Sequence, residues 1–483
     1  MGLGDNADLL YSVPVELGDR VFALHLDTGS SDLWVISDQC QIGACGKLTT
    51  GSRYPQSASG PGLSMSYGDS TTGTSANGTV GHDTASIAGI SILDQPFGVV
   101  DATDNLVVSS GLSGIIGLGF PAASRVQEAL TIQGSGPIHS TDQFLLSTFD
   151  DGPVLARIAM TNTLTAPMFS TTFQRNTIDI GGHGLLTLGK LPDGVKDSEM
   201  IWVPVRLYKP SEGGLKAPGY APKEVYPYRW EIDIDAVYLD GEKVPDSTIK
   251  ANGVDSTRVS AFMDTGNSII RGPQDVVNNI LTKVSSTYNP NDKNWLAELP
   301  CNVPHTLSFQ IGGKLFPIDP RDFISQESQG NATTCKADNL VSTDPPSPGA
   351  LFRWSLGAPF YNNVVAFHYG NLTHPSVDPP RIGILSTVPS DATQLLQAAV
   401  TKASHNGGNF PNTVDLPPTQ SAVSLPKTTV TVSIPLPLQA LKDTMSSAGS
   451  RYSTIWTSFG YEYRFFITPL LILTLSHFSY FSF

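Results

Sequence analysis

A mainly β, two-lobed protein is what this sequence predicts, and three observations carry that reading. The same short signature occurs twice, as Leu26-Asp27-Thr28-Gly29-Ser30-Ser31 and as Met263-Asp264-Thr265-Gly266-Asn267-Ser268. Each copy closes an apolar run, residues 21–26 or 259–263, that reads as a buried strand entering a turn that glycine permits. Gly (45) and Pro (36) are abundant while only 15% of residues are charged, which suits a large, turn-rich β protein.

The repeat extends beyond the turns. An apolar-apolar-Gly segment follows each copy, Gly114-Ile115-Ile116-Gly117-Leu118-Gly119 after the first and Trp354-Ser355-Leu356-Gly357 after the second. This is an internal duplication in which each half sets one aspartate at a strand end. Two lobes that each donate one carboxylate to a shared site follow from it. A close carboxylate pair can do both halves of peptide hydrolysis, one group activating water and the other protonating the carbonyl oxygen. Like charges a few ångströms apart cannot both ionise cheaply, so the pair shares a proton and titrates in two steps; pepsin is the standard example of that split.

From about Leu9 to Val388 the chain resembles the pepsin-like aspartic proteases. The resemblance rests on both Asp-Thr-Gly turns, Trp34 after the first, Ser66-Tyr67-Gly68-Asp69-Ser70, and Ser268-Ile269-Ile270-Arg271-Gly272-Pro273 after the second. The Tyr-Gly-Asp wording is most similar to fungal members. The resemblance implies a bilobal fold with a cleft between pseudo-symmetric lobes and a dyad of Asp27 and Asp264. It implies cleavage of extended polypeptides between bulky apolar residues at acidic pH, without metal or organic cofactor. Thr28 and Thr265 match the pair whose hydroxyls reach across to the opposite lobe, flanked by Gly29 and Gly266. Ser30 matches a donor to the outer oxygen of Asp27, favouring its ionised form. The second copy departs from the pattern at Asn267, where the family has Ser or Thr; an amide can still donate to the Asp264 carboxylate, but it is larger and must orient correctly, which leaves the tuning of Asp264 open.

Tyr67 and Gly68 match the flap that closes over substrate, with Tyr67 paired to Trp34, whose indole N–H needs a partner when buried. Asp69 beside the flap tip is expected either to attract a basic side chain just before the scissile bond or to be a solvated loop carboxylate. His25 shares a strand face with Asp27 where the family has an apolar residue. Two readings stand for it: positive charge near the dyad in acid, or a hydrogen-bonded pocket wall without catalytic effect.

The cysteines match the family's disulfides as Cys40 with Cys45 and Cys301 with Cys335, against the alternatives of free thiols or a zinc site. Closing the second loop contributes roughly 3–4 kcal/mol in the chain-entropy picture. Three glycosylation sequons, at Asn77, Asn331 and Asn371, fit a secreted chain, with Asn77 in the flap hairpin. A net charge of −14 argues against nucleic acid and anionic membrane surfaces as partners.

The expected organisation is an N-terminal remnant at 1–8, lobes at 9–190 and 191–388, a Ser/Thr/Pro-rich stalk at 389–450 and a spacer with an apolar tail at 451–483. Within it, stretches around 129–153 and 207–228 read as surface insertions, and 391–403 as a short helix. No apolar leader or prosegment precedes the first strand, so we expect a chain truncated at its N terminus; the alternative is an intracellular form. Small residues at 446–450, a spacer and the apolar tail 465–483 match the order of a GPI-attachment signal, with a terminal membrane helix as the rival. The whole reads as an extracellular or cell-surface monomer that acts on polypeptides. The competing function is a pepsin-fold binding or inhibitor protein without turnover; serine hydrolases and metalloproteases are disfavoured by the absence of G-x-S-x-G and H-E-x-x-H.

Overall fold

The computed structural model of the protein describes residues 1–47, 52–55, 59–135, 140–254, 257–292, 296–415 and 427–445. Within residues 1–434 two ten-stranded sheets dominate, joined by a four-stranded and a three-stranded sheet. The duplication read from the signatures is a duplication of strand topology. Arg20–Asp27 runs parallel to Gly114–Gly117, with Asp27 opposite Gly117, and Leu33–Ile36 returns antiparallel to that same segment. In the second sheet Ser260–Met263 runs parallel to Trp354–Leu356, and Ile270–Gly272 returns antiparallel to it. Each aspartate therefore sits where a central strand ends between two neighbours, a position that fixes its backbone. The Asp27 carbonyl accepts from Leu118 N at 2.8 Å, and Asp264 N donates to the Leu356 carbonyl at 3.0 Å.

These strands hold such positions because they are apolar on both faces, as strands covered on both sides must be. Arg20–Asp27 is buried from Phe22 onward and Ser260–Met263 throughout. Between the two halves lies an aromatic core. Trp230 is fully buried and packs on Phe120 at 4.2 Å and Tyr369 at 5.0 Å between ring centroids. Trp230 Nε1 and Tyr369 Oη both donate to the Leu118 carbonyl, at 2.9 and 2.7 Å, so a second-half strand and a late strand end are tied to the segment beside Asp27.

Both disulfides join the pairs that the resemblance implied, Cys40–Cys45 and Cys301–Cys335, and no free cysteine remains. The second bridges adjacent antiparallel strands, Glu298–Pro300 and Asn331–Lys336.

Several organisational expectations need correction. The stretch around 129–153 is largely helical, over Arg125–Ser135 and Thr141–Asp151, and Ser140 with Gln143 forms a capping box at the second helix. The boundary at residue 190 cuts a sheet, because Met168–Thr172 and Leu185–Leu188 pair with each other and the former with Val364–His368. The chain does not leave the folded body after Val388 as a stalk. The expected short helix is present as Ala392–His405, and Leu396, Ala399 and Ala403 are buried on it. Val414–Asp415 then pairs with Gly4–Asn6, and Thr428–Val430 adds to the long strand Ile90–Thr103. Both additions cover sheet edges that would otherwise expose unpaired backbone groups. The terminal remnant 1–8 is likewise a strand of the first sheet rather than a loose end. Residues 436–445 form a helix in a separate unit. The expected lipid-attachment site and apolar tail, 446–483, lie outside the described residues; among the described ones no helix is long and apolar enough to cross a membrane.

Candidate active site

The two Asp-Thr-Gly turns meet face to face. Thr28 N donates to Thr265 Oγ1 and Thr265 N to Thr28 Oγ1, both at 2.9 Å. Each hydroxyl in turn donates to a strand carbonyl of the other half, Thr28 Oγ1 to Met263 and Thr265 Oγ1 to Leu26, both at 2.7 Å. These four buried hydrogen bonds explain why each turn needs a residue that both accepts and donates through one short side chain. They also press the turns so close that only glycine fits at the next position. A Cβ on Gly29 would lie 2.3 Å from Asp264 Oδ1, and one on Gly266 would lie 2.3 Å from Asp27 Oδ1.

The carboxylates are solvated differently. Asp27 accepts from Gly29 N at 2.7 Å on one oxygen and from Ser30 Oγ at 2.5 Å on the other. Asp264 accepts from Gly266 N at 3.0 Å. Asn267 does not donate to Asp264. Its amide N–H goes to Ser355 Oγ at 3.0 Å, and its oxygen accepts from Ile269 N at 3.3 Å. The longer side chain reaches past the carboxylate to the neighbouring strand, leaving the two carboxylates with unequal donors. Burial, and then the charge of Asp27, pushes the Asp264 carboxyl up to about 8.

His25 lines the cleft on the strand that ends in Asp27. It is buried, with Nδ1 2.9 Å from the Tyr11 carbonyl and Nε2 3.4 Å from the Gly266 carbonyl across the cleft. Burial lowers its pKa below the ordinary value, against the pull of Asp27 and of the two carbonyls. It therefore stays neutral more readily than a free histidine.

The flap is the hairpin of Gly62–Tyr67 and the strand beginning at Thr74. Tyr67 packs on the fully buried Trp34 with ring centroids 6.3 Å apart, and its hydroxyl lies 3.6 Å from Met65 Sδ. Asp69 is neither free nor simply solvated. It accepts from Thr71 N, Thr72 N and Thr72 Oγ1 and pairs with Arg271 Nη1 at 2.5 Å, while Ser70 binds Asp344 through both its N–H and its hydroxyl. Burial raises the Asp69 carboxyl, but the Thr72 hydrogen bonds and Arg271 outweigh it and leave the pKa below the usual carboxylate value. The flap tip is thus fastened to loops of the second half.

Together these elements enclose a cleft of about 1170 Å³ that contains both aspartates, the flap, His25 and part of the helix Arg125–Ser135. Sequence reasoning missed three of its residues. Asp32 is buried and caps that helix, accepting from Ser124 Oγ, Arg125 N and Val126 N; burial raises its pKa despite these donors. Arg271 and Arg229 line the walls; Arg271 lies in the segment 268–273 that follows the second turn, which assigned it no role, and nothing local in the sequence marks Arg229. Among the described residues no group of three or more His, Cys, Asp or Glu is arranged to hold a metal ion.

The family model described as eukaryotic aspartyl protease matches residues 10–372. Pepsin A of Sus scrofa is 26% identical over 343 residues, covering 70% of this chain and 72% of that protein. Cathepsin E-A of Xenopus laevis is 27% identical over 379 residues, with 76% of each chain covered. Major aspartyl peptidase 1 of Cryptococcus neoformans is 25% identical over 374 residues, covering 75% of this chain and 67% of that protein. The chain belongs to the eukaryotic aspartyl protease family and is an aspartic-type endopeptidase acting on polypeptides.

Proposed function

We propose that Asp27 and Asp264 are the catalytic dyad and hydrolyse a peptide bond by direct attack of water. The observation that carries this reading is the four-bond threonine lock, which sets each carboxylate against the opposite turn. Asp27, met by donors on both oxygens, is the ionised member and takes a proton from the attacking water. Asp264, with one backbone donor and a raised pKa, holds the shared proton and delivers it to the substrate carbonyl oxygen. Collapse of the tetrahedral intermediate then passes a proton to the amide nitrogen, breaks the C–N bond and regenerates the one-proton dyad. Tyr67, Gly68 and Trp34 form the cover and its support, and Gly29, Ser30, Gly266 and Asn267 shape the turns.

Apolar walls support a preference for bulky apolar side chains near the scissile bond, with Leu63, Met65, Ile115, Phe262 and Phe352 lining the cleft. The Asp69–Arg271 pair argues that Asp69 is not available to a basic substrate side chain at rest. We place the protein outside the reducing cytosol because both cysteine pairs are bonded. Asn77 is exposed on the flap hairpin, and Asn331 and Asn371 each accept hydrogen bonds from their sequon threonine, so all three remain glycan candidates. Attachment to a membrane is proposed only through the tail. The dyad assignment is tested by acid cleavage of a denatured protein substrate with and without pepstatin. The expected result is cleavage abolished by pepstatin and by Asp27→Asn; cleavage that survives the substitution contradicts the assignment.

A further inference from the structure

The cleft holds a cation without a carboxylate partner. Arg229 lies on the strand Tyr226–Asp233 and lines the wall on the Asp264 side, close enough that its charge pulls the Asp264 carboxyl downward against burial. Three aromatic rings hold its guanidinium, with Cζ 5.2 Å from the centroid of Tyr228, 5.1 Å from Phe262 and 5.4 Å from Phe352. Of its five donors, one Nη2 proton goes to the Gly349 carbonyl, and Nε is buried without a partner. The other arginines of the cleft each have a carboxylate partner, Arg271 with Asp69 and Arg125 with Glu128. Glu231, two residues further along the strand, is taken by Arg206, Tyr208 and Ser260.

A half-buried guanidinium with ring contacts but no counter-charge is a costly arrangement in an empty cleft. It becomes favourable when a bound chain brings a carboxylate, because a charge-assisted pair in a water-poor groove is stronger than the same pair at the surface. We propose that Arg229 is a specificity residue that selects a Glu or Asp side chain at one position of the polypeptide near the scissile bond. The aromatic cage fixes the guanidinium and so lowers the entropy lost on pairing. The selection concerns the substrate's own side chain and not its C-terminal carboxylate, which only a chain end presents.

This inference rests on the endopeptidase activity, and the test separates the two. Peptides blocked at both ends carry Glu or Gln at each position in turn around a fixed apolar cleavage site, with one arm left as the free C-terminal acid. Cleavage of the Gln peptides reports the activity itself. At about pH 5.5, where glutamate is ionised, kcat/KM is expected to favour Glu over Gln by about tenfold at one position. Arg229→Met is expected to bring that ratio near one, and Arg229→Lys to restore part of it. Lowering the pH to about 3, where the glutamate protonates, is expected to erase the preference in the unmodified protein, a readout that needs no variant. Equal cleavage of Glu and Gln at every position, a preference retained in Arg229→Met or at about pH 3, or a preference seen only with the free terminal acid, overturns the proposal.

Discussion

Gly29→Ala and Gly266→Ala are each expected to lower kcat/KM by about 10²-fold or more while leaving the fold intact. The added Cβ in either variant falls 2.3 Å from a carboxylate oxygen of the opposite turn, well inside van der Waals contact. The atom that must give way is the end of an aspartate side chain, so the substitution moves the reacting group and not the core. Displacing a reacting group by about 1 Å costs about 10²-fold through lost alignment. The split between readouts is the useful part. A peptide assay and a thermal melt on the same samples should show a large loss of turnover with a small change in Tm; a large drop in Tm with turnover per folded molecule unchanged contradicts the geometry.

Stability is expected to fall as the pH rises from about 4 toward 8, a direction set by carboxyls buried without enough donors. Burial, followed by the nearby Asp8, pushes Asp5 up to about 9, and Asp264 is pushed up to about 8. Burial also raises Asp32 and Asp322. A carboxyl whose folded pKa exceeds its unfolded value, about 4, binds more protons folded than unfolded between those values. Its contribution is therefore fully present below about pH 4 and is lost as the pH rises through the folded value. Asp69, Asp275 and Asp319 are lowered and act with the opposite sign, but their stabilisation is lost only as the pH falls below the ordinary carboxyl range; His25 and His368, also lowered by burial, favour the folded state as the pH rises toward the ordinary histidine value of about 6.5 and offset part of the fall. The net charge of −14 at pH 7 adds self-repulsion in the same direction. Melting followed across this range should show Tm falling by roughly 5–10 °C between about pH 4.5 and 7.5. Asp5→Asn keeps the acceptor for Asp8 N while removing the titration, and is expected to flatten part of that slope. A Tm that rises toward neutrality contradicts the burial argument.

What the sequence disclosed and what it concealed divide along locality. The paired turns, the apolar strands before them and the Gly segments that pair beside them are short patterns whose chemistry is carried by neighbours in the chain, and all of them occupy equivalent places in the two sheets. The capping box at Ser140 and Gln143 is equally local, although the Gly and Pro of the same stretch mask it. Other features depend on partners far away in sequence. Asn267 turns from the dyad because Ser355 accepts from it, Asp69 is held by Arg271, and Arg229 gains its cage only when Phe262 and Phe352 fold beside it. The segments after Val388 read as a linker because two- and three-residue edge strands carry almost no periodicity; backbone pairing, not side-chain pattern, holds them.

If Asp27 and Asp264 share one proton, the pH dependence of kcat/KM must show it. The measurement is a profile on an uncharged peptide from about pH 2 to 8, with the folded fraction monitored throughout. A bell is expected, since a doubly protonated pair lacks a base and a doubly ionised one lacks an acid. Its upper limb should lie well above the ordinary carboxyl value of about 4, because burial and Asp27 hold the proton on Asp264. A folded protein whose activity declines with a single ordinary carboxyl titration near pH 4, or shows no titration at all, contradicts the shared-proton dyad.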